Sequence, residues 1–200
     1  MSSPETLTRL DARTKSHHAS ADRPWLQLMT ADVRRHDYVR QLVIAYGFEA
    51  PLEAALAYTI DLTDLVSLRE RTRAGKLAQD LLALGISPAR LTQLPQCISI
   101  TPFRDPAEAL GWMYVVERAT LLHDSVRRSV IARVPEAKHA TTYLDACGAA
   151  HRRLHGFAKT LGSYAQSQDR FERVAVAAER AFTQWLTWNE QSQLEVRSAG

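Results

Sequence analysis

Histidine is the residue type through which this chain could do chemistry. Seven occur in 200 residues. His17-His18 closes a first helical pattern, and His123 lies inside a strongly apolar one, whereas His36, His139, His151 and His155 stand among polar residues. A lone helical histidine is most often solvated or satisfied by a core hydrogen bond. One that faces a second helix across an apolar slot is how a helical bundle holds a heme iron. Other site types lack support. The chain has no phosphate-cradling glycine loop, no G-x-S-x-G elbow, no H-E-x-x-H and no paired Glu-x-x-His. Cys97 and Cys147 have neither metal nor redox spacing and read as small buried hydrophobes.

The elements that must position these histidines are helices almost throughout. Ser3 caps the first with Pro4 at its opening position, and Leu7, Leu10, Thr14 and His18 then share one face. Arg23-Pro24 should interrupt it. A second helix starts at Thr30 and ends at Gly47, a third opens at Pro51, and Leu65 to Leu84 reads as helical, with Gly75 a potential break and Gly85 a C-terminal cap. Residues 86–104 read as a connection with little regular structure, with strand-like alternation only at Cys97–Ile100. Asp105-Pro106-Ala107-Glu108 is the clearest start signal, with Asp105 as cap and Glu108 returning a hydrogen bond to it. The helix that follows runs to about Arg133 and is apolar on nearly all sides between Ala109 and Leu122, as a central helix must be. Further helices are expected at Thr142–Gly162, bent near Gly148, and at Ser167–Gln191 with Phe171, Val174, Ala178, Phe182 and Trp185 in its stripe. Seven or eight helices in a single all-α domain, residues 1–200, is the resulting expectation.

Composition agrees with a globular chain that needs no disulfide staples: 46% hydrophobic, 24% charged and two cysteines. A formal charge of +3 is far from the concentrated positive field that nucleic-acid binding requires, and the Arg34-Arg35, Arg127-Arg128 and Arg152-Arg153 pairs read as solvated helix faces. No apolar run reaches about 18 residues, and Met1 to Arg13 lacks an apolar signal core. These features predict a cytoplasmic protein with no membrane span.

Several segments together resemble a known family. Leu10-x-x-x-Thr14-x-x-x-His18 is similar to the first helix of heme oxygenases, and the resemblance continues through Pro51-Leu52-Glu53, Leu77-x-x-Asp80-Leu81-x-x-Leu84-Gly85 and Leu94-Pro95. Ala109-Leu110-Gly111-Trp112-Met113-Tyr114-Val115-Val116-Glu117 is its most specific part and looks like the bacterial branch associated with phytochromes. The resemblance implies the all-α, multi-helical heme oxygenase fold, with His18 as proximal ligand to heme iron. It implies turnover of heme with O2 and electrons from an external donor to biliverdin, carbon monoxide and ferrous iron, and a phytochrome or signalling protein as partner. Lys15 would be placed to meet a propionate. Thiamin-degrading enzymes share this fold, and for them Cys147 with Asp145 is a weak candidate pair, since residues two apart on a helix do not face each other.

The departure lies in the distal helix. Where the family continues G-S-T-L-G-G, this chain has Arg118-Ala119-Thr120-Leu121-Leu122-His123. Glycines there let backbone lie against the porphyrin. In the family register Arg118 and Leu122 share a face with Gly111 and Val115 that points at the heme, and a buried arginine would require a carboxylate or propionate partner. Three readings follow: a filled pocket in a binding or regulatory relative with weak or no turnover, a shifted helix in which His123 or Arg118 acts beside heme held by His18, and an active oxygenase. The glycine argument favours the first.

Overall fold

The computed structural model describes residues 3–145 and 150–198. Cys147 and the bend expected at Gly148 fall outside them. The elements are α1 (Ser3–Gln27), α2 (Arg35–Ala57), α3 (Ala74–Ala83), α4 (Pro88–Leu91), α5 (Pro106–Ala119), α6 (His123–Arg133), α7 (Thr142–Asp145), α8 (Ala150–Tyr164) and α9 (Gln168–Ser198), with 3-10 turns at Leu68–Glu70, Thr120–Leu122 and Pro135–His139. No strand occurs among the described residues. The fold is all-α, as expected.

Local signals hold where their partners are local. Asp105 caps α5, its Oδ1 accepting from the amides of Ala107 (2.8 Å) and Glu108 (3.1 Å). Glu108 reaches back one residue further than expected, to the amide of Arg104 (3.0 Å). Gly85 takes φ +87°, the left-handed conformation that ends α3.

The expected breaks at Pro24, Gly47 and Pro51 do not occur, and at Pro51 a tertiary contact satisfies the freed carbonyl. Pro51 has no N–H for the Gly47 carbonyl four residues earlier, and that carbonyl instead accepts from Cys97 N–H at 2.8 Å. Gly47 is needed for this docking: a Cβ there would meet Pro95 O and the Trp188 ring at 2.5 Å. One long α2 thus replaces the two expected helices. Near Pro24 the Ala21 carbonyl accepts from Trp185 Nε1 (3.3 Å), and α1 runs on to Gln27. The Leu65–Leu84 helix is shortened, because the Glu53 carboxylate accepts from the amides of Arg73 and Ala74 (2.9 Å for the latter) and makes α3 begin there.

The central helix is also not continuous. Thr120 Oγ1 donates back to the Glu117 carbonyl at 2.7 Å, and the chain tightens through the turn Thr120–Leu122 before α6 starts at His123. α5 packs along α9 so closely that a Cβ on Gly111 would stand 2.5 Å from Val174 O and 2.6 Å from Ala177 Cβ. Gly111 therefore faces α9 and not a heme slot, which corrects the shared face inferred from spacing. One apolar cluster gathers around α5 and α9, including Phe48, Trp112, Phe182 and Trp185, and a second joins α2, α3, α6 and α7 through Tyr38, Leu42, Leu81, Val126 and Tyr143.

Candidate functional site

α1 presents Asp11, Thr14, His18 and Asp22 at spacings of three and four, hence on one face. Against this face α5 places Tyr114 and Arg118, one turn apart, and α9 places Phe182. Arg118 donates to both carboxylate oxygens of Asp22, Nη1 at 2.7 Å and Nη2 at 2.9 Å. Its Nε lies 3.9 Å from Asp11 Oδ1. Asp11 and Asp22 are three turns apart, so the guanidinium spans the turn that carries His18. Such two-point pairing fixes direction as well as distance. Both side chains are only 16% exposed, so the pair is stronger than a solvated one.

His18 does not stand free behind this bridge. Its Nε2 is 3.0 Å from Thr14 Oγ1. Thr14 Oγ1 also bonds to the Leu10 carbonyl at 2.9 Å, so the hydroxyl bridges the imidazole and the backbone. Tyr114 Oη, 3.5 Å from Thr14 Oγ1, donates to Asp11 Oδ1 at 3.1 Å. The Phe182 ring covers both histidines: 5.5 Å from His18 with a 46° tilt, and 5.5 Å from His17 in parallel stacking at 4°. Burial, then the nearby Arg118 cation, lower the His18 pKa, while Asp11 and Asp22 pull the other way. Burial opposes the charge of Arg118, yet its bonds to Asp22 raise its pKa overall. Lys15 is exposed.

Of the three distal positions singled out in sequence, the structure brings only Arg118 to the His18 face. Leu122 packs, half-buried, against the second apolar cluster. His123 is fully buried, its ring 5.1 Å from Trp25 and 4.8 Å from Tyr143. Desolvation, followed by the cations of Arg73 and Arg153, takes its pKa well below the ordinary 6.5. The break at Thr120–Leu122 turns Leu122 off the register of Arg118, whereas His123, five residues on, lies about 140° round even an unbroken helix. Asp11 and Asp22 escaped the sequence reading, while Tyr114 was read only within the family-like segment and Phe182 only as core. The carboxylates were findable, since they lie seven residues before and four after His18, and a buried arginine had been expected to need such a partner.

A void of about 20 Å³ lies between α1 and α5, bordered by Asp22, Trp25, Phe48, Arg118, Phe182 and Trp185 but not by His18. That holds about one water molecule, whereas sites for ligands of drug or cofactor size run to about 300–1,000 Å³. Among the described residues no group of three or more His, Cys, Asp or Glu side chains gathers to hold a metal.

The helical order, with the α1 face opposed to α5 and backed by α9, defines a heme oxygenase-type fold. The heme oxygenase family model matches residues 5–191, and the chain belongs to that family. No individual curated protein matches the sequence. The family's heme chemistry needs a flat slot beside the α1 histidine, and the residues here do not fit one. Arg118 and Phe182 stand against the α1 face that carries His18, and His18 Nε2 bonds to Thr14. Among the described residues no helix is long and apolar enough to cross a membrane.

Proposed function

We propose that this heme oxygenase-family protein keeps the α1–α5 slot closed and acts as a binding or regulatory protein with weak or no oxygenase turnover. The resemblance of Ala109–Glu117 to the phytochrome-associated branch makes a phytochrome or signalling protein its partner class, and on this reading residues 1–200 work as one domain in the cytoplasm. One observation carries the proposal: Arg118, where the family has a glycine, is bonded at two points to Asp22 of the opposing helix, one turn beyond His18. A glycine would leave both the volume and the charge unfilled. Heme entry would require breaking this pair and leaving a partly buried guanidinium without its partner, which costs more than loss of an exposed pair.

Titration with hemin, followed by ascorbate, tests the reading. The wild-type protein is expected to show no saturable Soret change. Arg118→Gly is expected to gain one, and Arg118→Gly combined with His18→Ala to lose it again. A saturable Soret band in the wild type that converts to biliverdin absorption would establish an active oxygenase and overturn the proposal. Failure of Arg118→Gly to gain affinity would show that Arg118 is not what closes the slot.

A further inference from the structure

One residue before Arg118, and about 100° round the helix, Glu117 is fully buried. Its Oε1 lies 2.9 Å from Arg153 Nη2 on α8 and 3.1 Å from Arg71 Nη1, which follows the turn Leu68–Glu70. Arg153 Nη1 also donates to the Glu70 carbonyl at 2.7 Å. A single carboxylate oxygen therefore holds two guanidinium groups side by side from behind. In front of them a cleft of about 250 Å³ opens to solvent, lined by Glu70, Arg71, Arg152, Arg153 and Gly156.

Three features of this cleft ask for an anion. It gathers three cations against two carboxylates, and the more intimate of these, Glu117, is sunk beneath the floor. Arg71 and Arg153 line the cleft with 14% and 16% of their side chains exposed, so both guanidiniums keep an accessible part while Glu117 holds them. Gly156 is the third. A glycine inside a helix weakens it relative to alanine, and unlike Gly47 and Gly111 this one is not required by a close neighbour. A Cβ there would meet only Arg71 Nη2, at 3.9 Å. What the missing side chain provides is room beside the arginines.

We infer that this cleft binds a phosphate dianion, free or as the monoester of a small soluble molecule, held by Arg71, Arg152 and Arg153. Guanidinium forks pair with phosphate oxygens two at a time. A planar carboxylate offers one edge to one fork, whereas a tetrahedral phosphate offers its oxygens to several arginines at once. Arg71 and Arg153 are already oriented by Glu117, so little side-chain entropy is lost on binding. The cleft is larger than a phosphate group and open to solvent, so the rest of a monoester has room beside the charged group.

Titration of the full chain with inorganic phosphate, followed by NMR of the arginine Nε–H groups, tests this. Saturable shifts at Arg71 and Arg153 are expected, absent when sodium chloride is added to the same ionic strength. Gly156→Leu fills the cleft without removing a charge or a core contact and should weaken binding at least tenfold. Arg152→Ala, an exposed substitution, should weaken it severalfold. Phenyl phosphate binding as tightly as inorganic phosphate would identify a monoester site, and its exclusion would identify the free ion. Shifts that follow ionic strength alone, acetate binding as well as phosphate, or unchanged phosphate affinity in Gly156→Leu would each overturn the assignment.

Discussion

Glu117 and Arg118 are adjacent in sequence and carry opposite charges into opposite surroundings. Glu117 is an anion among arginines, without solvent access. Desolvation pushes its pKa up, but Arg73, Arg153 and Arg71 outweigh this and leave it below the ordinary carboxylate value. Arg118 is a cation among aspartates, at the edge of water. The same Coulomb attraction has different consequences in the two places. At Glu117 the carboxylate is without solvent while its arginines are 14% and 16% exposed, and removing it leaves several cations crowded together without the anion between them. Where water can reach the pair, solvent replaces the lost partner in part. Glu117 thus ties α8 and the 68–73 segment to α5 as a structural necessity, while Arg118 seals the slot with a bond that the fold can survive losing.

The largest expected effect separates the two. Glu117→Gln leaves Arg71 and Arg153 without their shared anion and should cost about 3–5 kcal/mol, read as a lowered denaturant midpoint. A cost below that of any change at Arg118 would erase the distinction drawn above. Asp22→Ala, which frees Arg118 toward solvent, should cost about 1–2 kcal/mol, between the buried and exposed cases, and should leave the far-ultraviolet circular dichroism of the folded state unchanged.

A subtler effect belongs to His123. Its folded pKa lies below its unfolded value, so the unfolded chain binds more protons in that range. The stability contributed by neutral His123 is fully present above about pH 6.5 and is lost as pH falls from there toward the folded pKa. Glu53 and Asp80, both raised chiefly by burial, act in the opposite sense: their contribution is lost as pH rises through their folded values. Denaturation between pH 8 and pH 6 should therefore show a decline on acidification that is reduced in His123→Phe. An unchanged slope in that variant would assign the decline elsewhere. The smallest effect is expected at the Arg128–Asp124 pair on α6, with side chains 69% and 64% exposed. Arg128→Ala should shift stability by no more than about 0.5 kcal/mol, and its slope with salt should be shallow.

The candidate site was half legible in advance. His18 and Arg118 could be chosen from type and spacing, and the need for a carboxylate opposite Arg118 follows from the cost of burying its charge. Which carboxylate meets it was not legible, because Asp22 lies on another helix, 96 residues away in sequence. Leu122 was misdirected for a different reason. A 100° rotation per residue carries a side-chain direction along a helix only while the helix is continuous, and the Thr120 hydroxyl interrupts it. Phe182 read as core from its stripe, and it is buried, yet its ring also covers the two histidines. Periodicity cannot tell a core ring from one that closes a slot.

By itself, the order of residues determined the all-α class, the cap at Asp105-Pro106, the stop at Gly85 and the common face of Leu10, Thr14 and His18. Each depends on atoms within one or two turns of chain, so nearby side chains suffice to decide it. Only the tertiary structure decided that α2 passes through Pro51, that Arg118 bridges to Asp22 and that Glu117 gathers two arginines. Those outcomes depend on which distant groups satisfy a freed carbonyl or a desolvated charge, and the folded chain alone brings such groups together.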